Sequence, residues 1–91
     1  MGKAVLIERL ATDAWQRLSD KALVASGELM APPSNAAAVA VKGGIGGAGV
    51  HFLPGQSNRL RSIDLSEIEV RGTVGDRIVF VGGTRKQGER R

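Results

Sequence analysis

The sequence predicts a small all-β domain, an antiparallel β-sandwich or jelly-roll-like barrel of about seven or eight short strands. A short N-terminal helix is the alternative for the first 30 residues. Three observations point there. Beyond about residue 35, apolar residues fall in short runs that mostly alternate with polar ones. Glycine, proline, Asn and Asp cluster between those runs as turn residues. Pro32 and Pro33 forbid any earlier helix from running on and favour an extended connection.

The first 30 residues admit two readings. Leu6, Leu10, Ala14 and Leu18, joined by Ile7, Ala11 and Trp15, fit a helical stripe. The same stretch divides into strands AVLIERL, AWQRLS and ALVASGELM, with a turn at Ser19-Asp20. After APPSN, the run AAAVAVK places Val39 and Val41 on one strand face. VHFL is a short strand bounded by Gly49 and Pro54, and in PGQSN Gly55 suits the positive φ of a type II turn. In RLR, Leu60 points opposite to Arg59 and Arg61. The strict period of two breaks between Leu65 and Ile68, where Asp64 or Ser66 can bond to nearby backbone N–H groups and re-aim the chain. Ile68 and Val70 then face one side and Glu67, Glu69 and Arg71 the other, the glutamates set for cross-strand pairing with Arg59, Arg61 and Arg71. GTVGDRIVFVGG reads as a hairpin turning at Gly75-Asp76, with Gly75 at the first central position. RIVFV is apolar on both faces, as in a central strand or one under a partner. Phe80 and Trp15 are expected in the core.

The 91 residues form one domain, 1–83, followed by a basic tail, 84–91. A domain this small buries only about 60% of the surface its unfolded chain exposes. There is no cysteine to add a disulfide or a thiolate metal site. Oligomerisation, or docking on a larger body, is the remaining route to buried area. The net charge is +4, and the tail carries most of it: Arg85, Lys86, Arg90 and Arg91 stand against Glu89 alone. The nearly neutral body has nine basic and eight acidic residues. A basic tail is a solvated end or a means of reaching an acidic surface. Glu8 and Arg9 interrupt the first apolar run well short of the roughly 7 to 15 residues of a signal peptide. No segment approaches the roughly 18 apolar residues of a membrane span, so no membrane partner is expected.

One motif invites an enzymatic reading. Gly44-Ile45-Gly46-Gly47-Ala48-Gly49 matches G-x-G-x-x-G, the dinucleotide-binding fingerprint, and Asp64 lies twenty positions after Gly44. That fingerprint needs a helix opening at its third glycine. Here Gly49 is followed by VHFLPG, which Pro54-Gly55 would stop after one turn, so no cofactor is expected. Five glycines among the seven residues Gly43–Gly49 instead suit a loop between antiparallel strands, either a mobile tip or one ordered by a partner. His51 is the single histidine, too little for a metal site. Ser57, His51 and Asp64 make a triad only on paper, so no catalytic residue is assigned and an enzyme is not expected. The three aromatics, Trp15, Phe52 and Phe80, do not interleave with basic residues, which speaks against nucleic acid as the partner.

Taken in order, PSNAAAVAV, a glycine-rich loop, FLPGQS and IDLSEIEVRGTVGDRIVFVGG resemble a group of small β-sandwich proteins encoded among the head genes of tailed bacteriophages. These are capsid decoration (cement) and other minor virion proteins. In that group a P-x-N-type connection precedes a strand, a P-G-E/Q-S turn introduces a strand ending in D-L-S-x-I, and V-x-G-T-x-G-D-x-V leads to the last core strand. The resemblance covers about residues 29–83 and favours strands before APPSN; the glycine loop is richer in glycine than that pattern. It implies a non-enzymatic virion protein on the capsid surface, made in the host cytoplasm. Such a protein binds the assembled major capsid protein and stabilises it as a homo-oligomer, a trimer first. Contacts would come from Trp15, from the loop residues Gly43, Gly44, Ile45, Gly46, Gly47 and Gly49, and from the tail residues Arg85, Lys86, Arg90 and Arg91. The alternative is a small basic nucleic-acid-binding β-barrel.

Overall fold

The computed structural model describes residues 2–43 and 49–84. Among them eight strands form: β1 (Ala4–Leu10), β2 (Gln16–Arg17), β3 (Val24–Met30), β4 (Val39–Lys42), β5 (Val50–Phe52), β6 (Ser57–Asp64), β7 (Glu69–Arg71) and β8 (Arg77–Gly83). They make two antiparallel four-stranded sheets, ordered β1-β8-β3-β6 and β2-β7-β4-β5. The inner faces close on Phe80, Ile78 and Leu29 from the first sheet and Val39, Val70 and Phe52 from the second, with Leu18 and Leu65 between them. The fold is the small β-sandwich that the strand pattern predicts.

The N-terminal helix does not form. AVLIERL is β1 over its full length, with Val5 and Ile7 turned toward the core and Leu6 and Leu10 away from it. The helical stripe from Leu6 to Leu18 would be marginal alone, near the roughly 12–15 residues an isolated helix needs, whereas β1 pairs along its whole length with β8. AWQRLS contributes only the two residues of β2.

Local chemistry sets the turns. Gly55 has φ +88 and the Gln56 N–H donates to the Leu53 carbonyl at 2.8 Å, which closes the turn expected at Pro54-Gly55. After β6 the chain leaves the first sheet through a 3-10 turn, Leu65–Glu67. Asp64 caps it: Oδ1 accepts from the Ser66 N–H (3.0 Å), the Ser66 hydroxyl (2.8 Å) and the Leu23 N–H (3.1 Å). That cap is the re-aiming device expected where the period of two fails.

The expected hairpin at Gly75-Asp76 is not one. β7 and β8 lie in different sheets. The Asp76 N–H donates to the Thr73 carbonyl at 3.0 Å, so Gly75 (φ +100) is the third residue of a four-residue turn and carries the chain across the sandwich. Contacts from afar fix the crossing. The buried Asp76 carboxylate accepts from the Ala36 N–H (2.8 Å) and the Ala37 N–H (3.0 Å). The buried Asn35 side chain exchanges two bonds with the Arg77 backbone, at 2.8 and 3.0 Å. These bonds stitch the APPSN connection to the start of β8.

Candidate functional site

Two surfaces stand out, one on the outer face of each sheet. Trp15 lies on the second sheet, half-buried on its outer side rather than in the core. Lys42 Nζ is 4.4 Å and Arg71 Cζ 4.9 Å from its ring centroid. Lys42 also pairs with Glu69 at 3.4 Å, so Glu69 takes a lysine on β4 rather than an arginine on β6. The indole reaches across the sheet to Gly49, where a Cβ would stand 3.3 Å from Trp15 Cη2 and 3.0 Å from the Val41 carbonyl oxygen. With φ +94, that position excludes other residues on two counts. Trp15 and Gly49 therefore meet, and Gly43 lies beside Lys42 at the rim of a cleft of about 290 Å³ between the sheets, floored by Leu29, Val41, Phe52 and Ile68. Gly44, Ile45, Gly46 and Gly47, like Arg85, Lys86, Arg90 and Arg91, lie outside the described residues.

Sequence reasoning missed the second surface. The outer face of an antiparallel sheet is usually polar. Here Leu6 (74% exposed), Leu10 (58%) and Val24 (55%) share the outer face of the first sheet with Val81 (51%). Leu6 stands beside Val81 across the β1–β8 pairing, and Met30 beside Val79 across β3–β8. RIVFV is thus core on one side only, through Ile78 and Phe80, and its other side forms part of an exposed apolar face. The signal was present in the apolar outward positions of β8, but its meaning depends on which strands flank it. Charges are set into the face, with Glu8 beside Val79 and Glu28 beside Val81. Arg77 Nη1 grips Glu8 Oε2 at 2.6 Å, and Glu28 stands opposite Arg59 in the β3–β6 register.

The nucleotide reading fails on geometry. Val50–Phe52 is a strand, paired with Val39–Val41, so no helix opens after Gly49 to receive a phosphate. The paper triad fails too. Ser57 and Asp64 sit at opposite ends of β6, about 20 Å apart, and Asp64 is committed to its cap. Those three donors hold its carboxyl below the usual carboxylate range, the Leu23 N–H most strongly. Among the described residues no three His, Cys, Asp or Glu side chains stand together as a metal site.

No family model matches the chain, and no curated protein does. A solved structure does match: a chain from Bacillus endospore appendages, which form a novel family of disulfide-linked pili. The likeness has a TM-score of 0.61 at 19% identity, over 91% of this chain and 83% of that one. At that identity it supports the fold.

Proposed function

We propose that the chain is a non-enzymatic structural module that docks on an assembled protein shell and stabilises it, as the capsid decoration proteins of tailed bacteriophages do. The observation that carries this reading is the apolar outer face of the first sheet, with Leu6, Val79, Val81 and Met30 at its centre. An exposed apolar face with charges interspersed, Glu8 and Glu28, suits a protein partner. A small domain also gains stability from such a partner, by RT ln(1 + [L]/Kd). The major capsid protein is the partner that the sequence resemblance supplies, and the virion surface the corresponding location. The similar fold among pili is compatible with service in a repeating assembly. Disulfide linkage cannot extend to this chain, whose 91 residues contain no cysteine.

The test is co-sedimentation with assembled shells and with unassembled capsid subunits, for the wild-type chain and for Val81→Lys. Binding to shells alone, weakened at least tenfold by the substitution, is expected. Equal binding to subunits and shells, or full binding by Val81→Lys, contradicts it.

A second reading has its own observation. Lys42 and Arg71 flank the Trp15 ring on the outer face of the second sheet, and Arg17 follows on β2 opposite Glu69, which suits a polyanion such as single-stranded nucleic acid. It requires an affinity for DNA that falls steeply with salt.

A further inference from the structure

A sandwich of two open sheets has four edge strands, and each is a potential template for another chain. In this chain three are blunted. β2 has two residues and β5 three. β6 is bulged: its register with β3 shifts between Ala25 and Gly27, Ser62 takes φ +48, and Arg59 and Arg61 project from it. β1 is different. It is seven residues long, regular in register throughout, and free of proline and glycine.

Its hydrogen-bonding groups can be assigned. The Thr84 N–H donates to the Lys3 carbonyl and the Ala11 N–H to the Asp76 carbonyl, both at 2.8 Å. In an antiparallel ladder bonded pairs alternate with non-bonded ones. The odd-numbered residues of β1 therefore bond to β8, and Ala4, Leu6, Glu8 and Leu10 aim their N–H and C=O groups at an edge that no strand among the described residues covers. The two charges nearby are drawn inward. Glu8 is held toward β8 by Arg77, and Arg9 donates to the Leu18 carbonyl at 3.3 Å.

We infer that this edge pairs with β1 of a second copy of the chain, antiparallel about a two-fold axis at Ile7. Among the described edges no other offers a strand of matching length and regularity, so the mate of β1 is β1. Centring on Ile7 sets Ala4 opposite Leu10 of the second copy and Leu6 opposite its Glu8, which uses all four outward residues of each. Centring on Glu8 would oppose two carboxylates, and centring on Leu6 would leave Leu10 beyond the partner strand. The product is one continuous eight-stranded sheet whose two apolar outer faces lie side by side. Two such faces on one body strengthen a weak contact to a repeating surface. This two-fold pairing takes the place of the trimer that the resemblance implies. It does not depend on what the outer face binds, so its failure leaves the shell-docking reading intact.

Sedimentation equilibrium and single-cysteine cross-linking test it. The wild-type chain is expected at twice its 9.5 kDa. Leu6→Pro removes an N–H that faces the open edge, leaves the β1–β8 bonds in place, and should halve the mass with the circular dichroism spectrum kept. In the background of a chain without cysteine, Ile7→Cys places two sulfurs at a non-bonded pair about 4.5 Å apart in Cα. It should give a covalent dimer on mild oxidation. Leu10→Cys, roughly 20 Å from its counterpart, should not. A monomeric or trimeric wild-type mass, a folded Leu6→Pro that stays dimeric, cross-linking through Leu10, or none through Ile7 overturns the pairing. If Leu6→Pro unfolds, the cysteine pair decides alone.

Discussion

Replacing Asp76 with alanine should be among the most damaging single changes, although Asp76 belongs to no proposed binding surface. Its carboxylate is 5% exposed and accepts from two backbone donors of the connection between β3 and β4, Ala36 at 2.8 Å and Ala37 at 3.0 Å. Alanine removes both bonds, and a hydrogen bond to a charged group contributes about 1.5–3 kcal/mol, toward the lower end here because Ala36 and Ala37 are themselves exposed. The expected loss is about 2–5 kcal/mol, a large share of the roughly 5–10 kcal/mol available to a domain of this size. At about 4–8 °C per kcal/mol, the melting temperature should fall by about 10 °C or more. Asp76→Asn keeps one acceptor oxygen and should lose about half as much. Thermal and urea unfolding followed by circular dichroism measures all three proteins. Asn35→Ala, acting on the adjoining Arg77 backbone, should combine non-additively with Asp76→Ala. A stability for Asp76→Ala within about 0.5 kcal/mol of wild type would refute the stitching of this connection to β8.

Three further outcomes follow from the same geometry. Gly82→Ala would place a Cβ 2.1 Å from the Ser26 carbonyl oxygen, so β3 and β8 must part and about 1–3 kcal/mol should be lost in urea unfolding. Phe80→Ala removes a fully buried ring at the centre of the sandwich and should cost about 3–5 kcal/mol by the same assay. Because the folded pKa of Asp64 lies below its unfolded value of about 3.9, its cap contributes stability above that pH. The contribution fades as pH falls through the lowered folded value. Asp64→Asn should therefore be destabilised at about pH 6 and lose less than wild type on acidification to about pH 3, read from urea midpoints.

What the sequence disclosed was what neighbours in the chain decide. Pro54-Gly55 and Asp64-Ser66 carry their turn chemistry within a few residues, and both turns were legible. The crossing at Gly75-Asp76 was not, because its outcome rests on Asn35, Ala36 and Ala37 far back in the chain. The N-terminal ambiguity has a simple geometric source. Residues four apart share a face in a helix and in a strand alike, so the spacing of Leu6 and Leu10 fits both, and only pairing with β8 decides. Trp15 was expected in the core and lies outside it, because its place among Lys42, Arg71 and Gly49 comes from strands brought together by the fold. The open edge of β1 was invisible for the same reason, since an edge exists only once the sheet order is known.

An electron-cryomicroscopy map of shells carrying the bound protein tests the docking surface most directly. The outer face with Leu6, Val79 and Val81 should lie against the shell, with Trp15, Lys42 and Arg71 turned away. A map with Trp15 and its flanking cations against the shell, and Leu6 and Val81 in solvent, would contradict it.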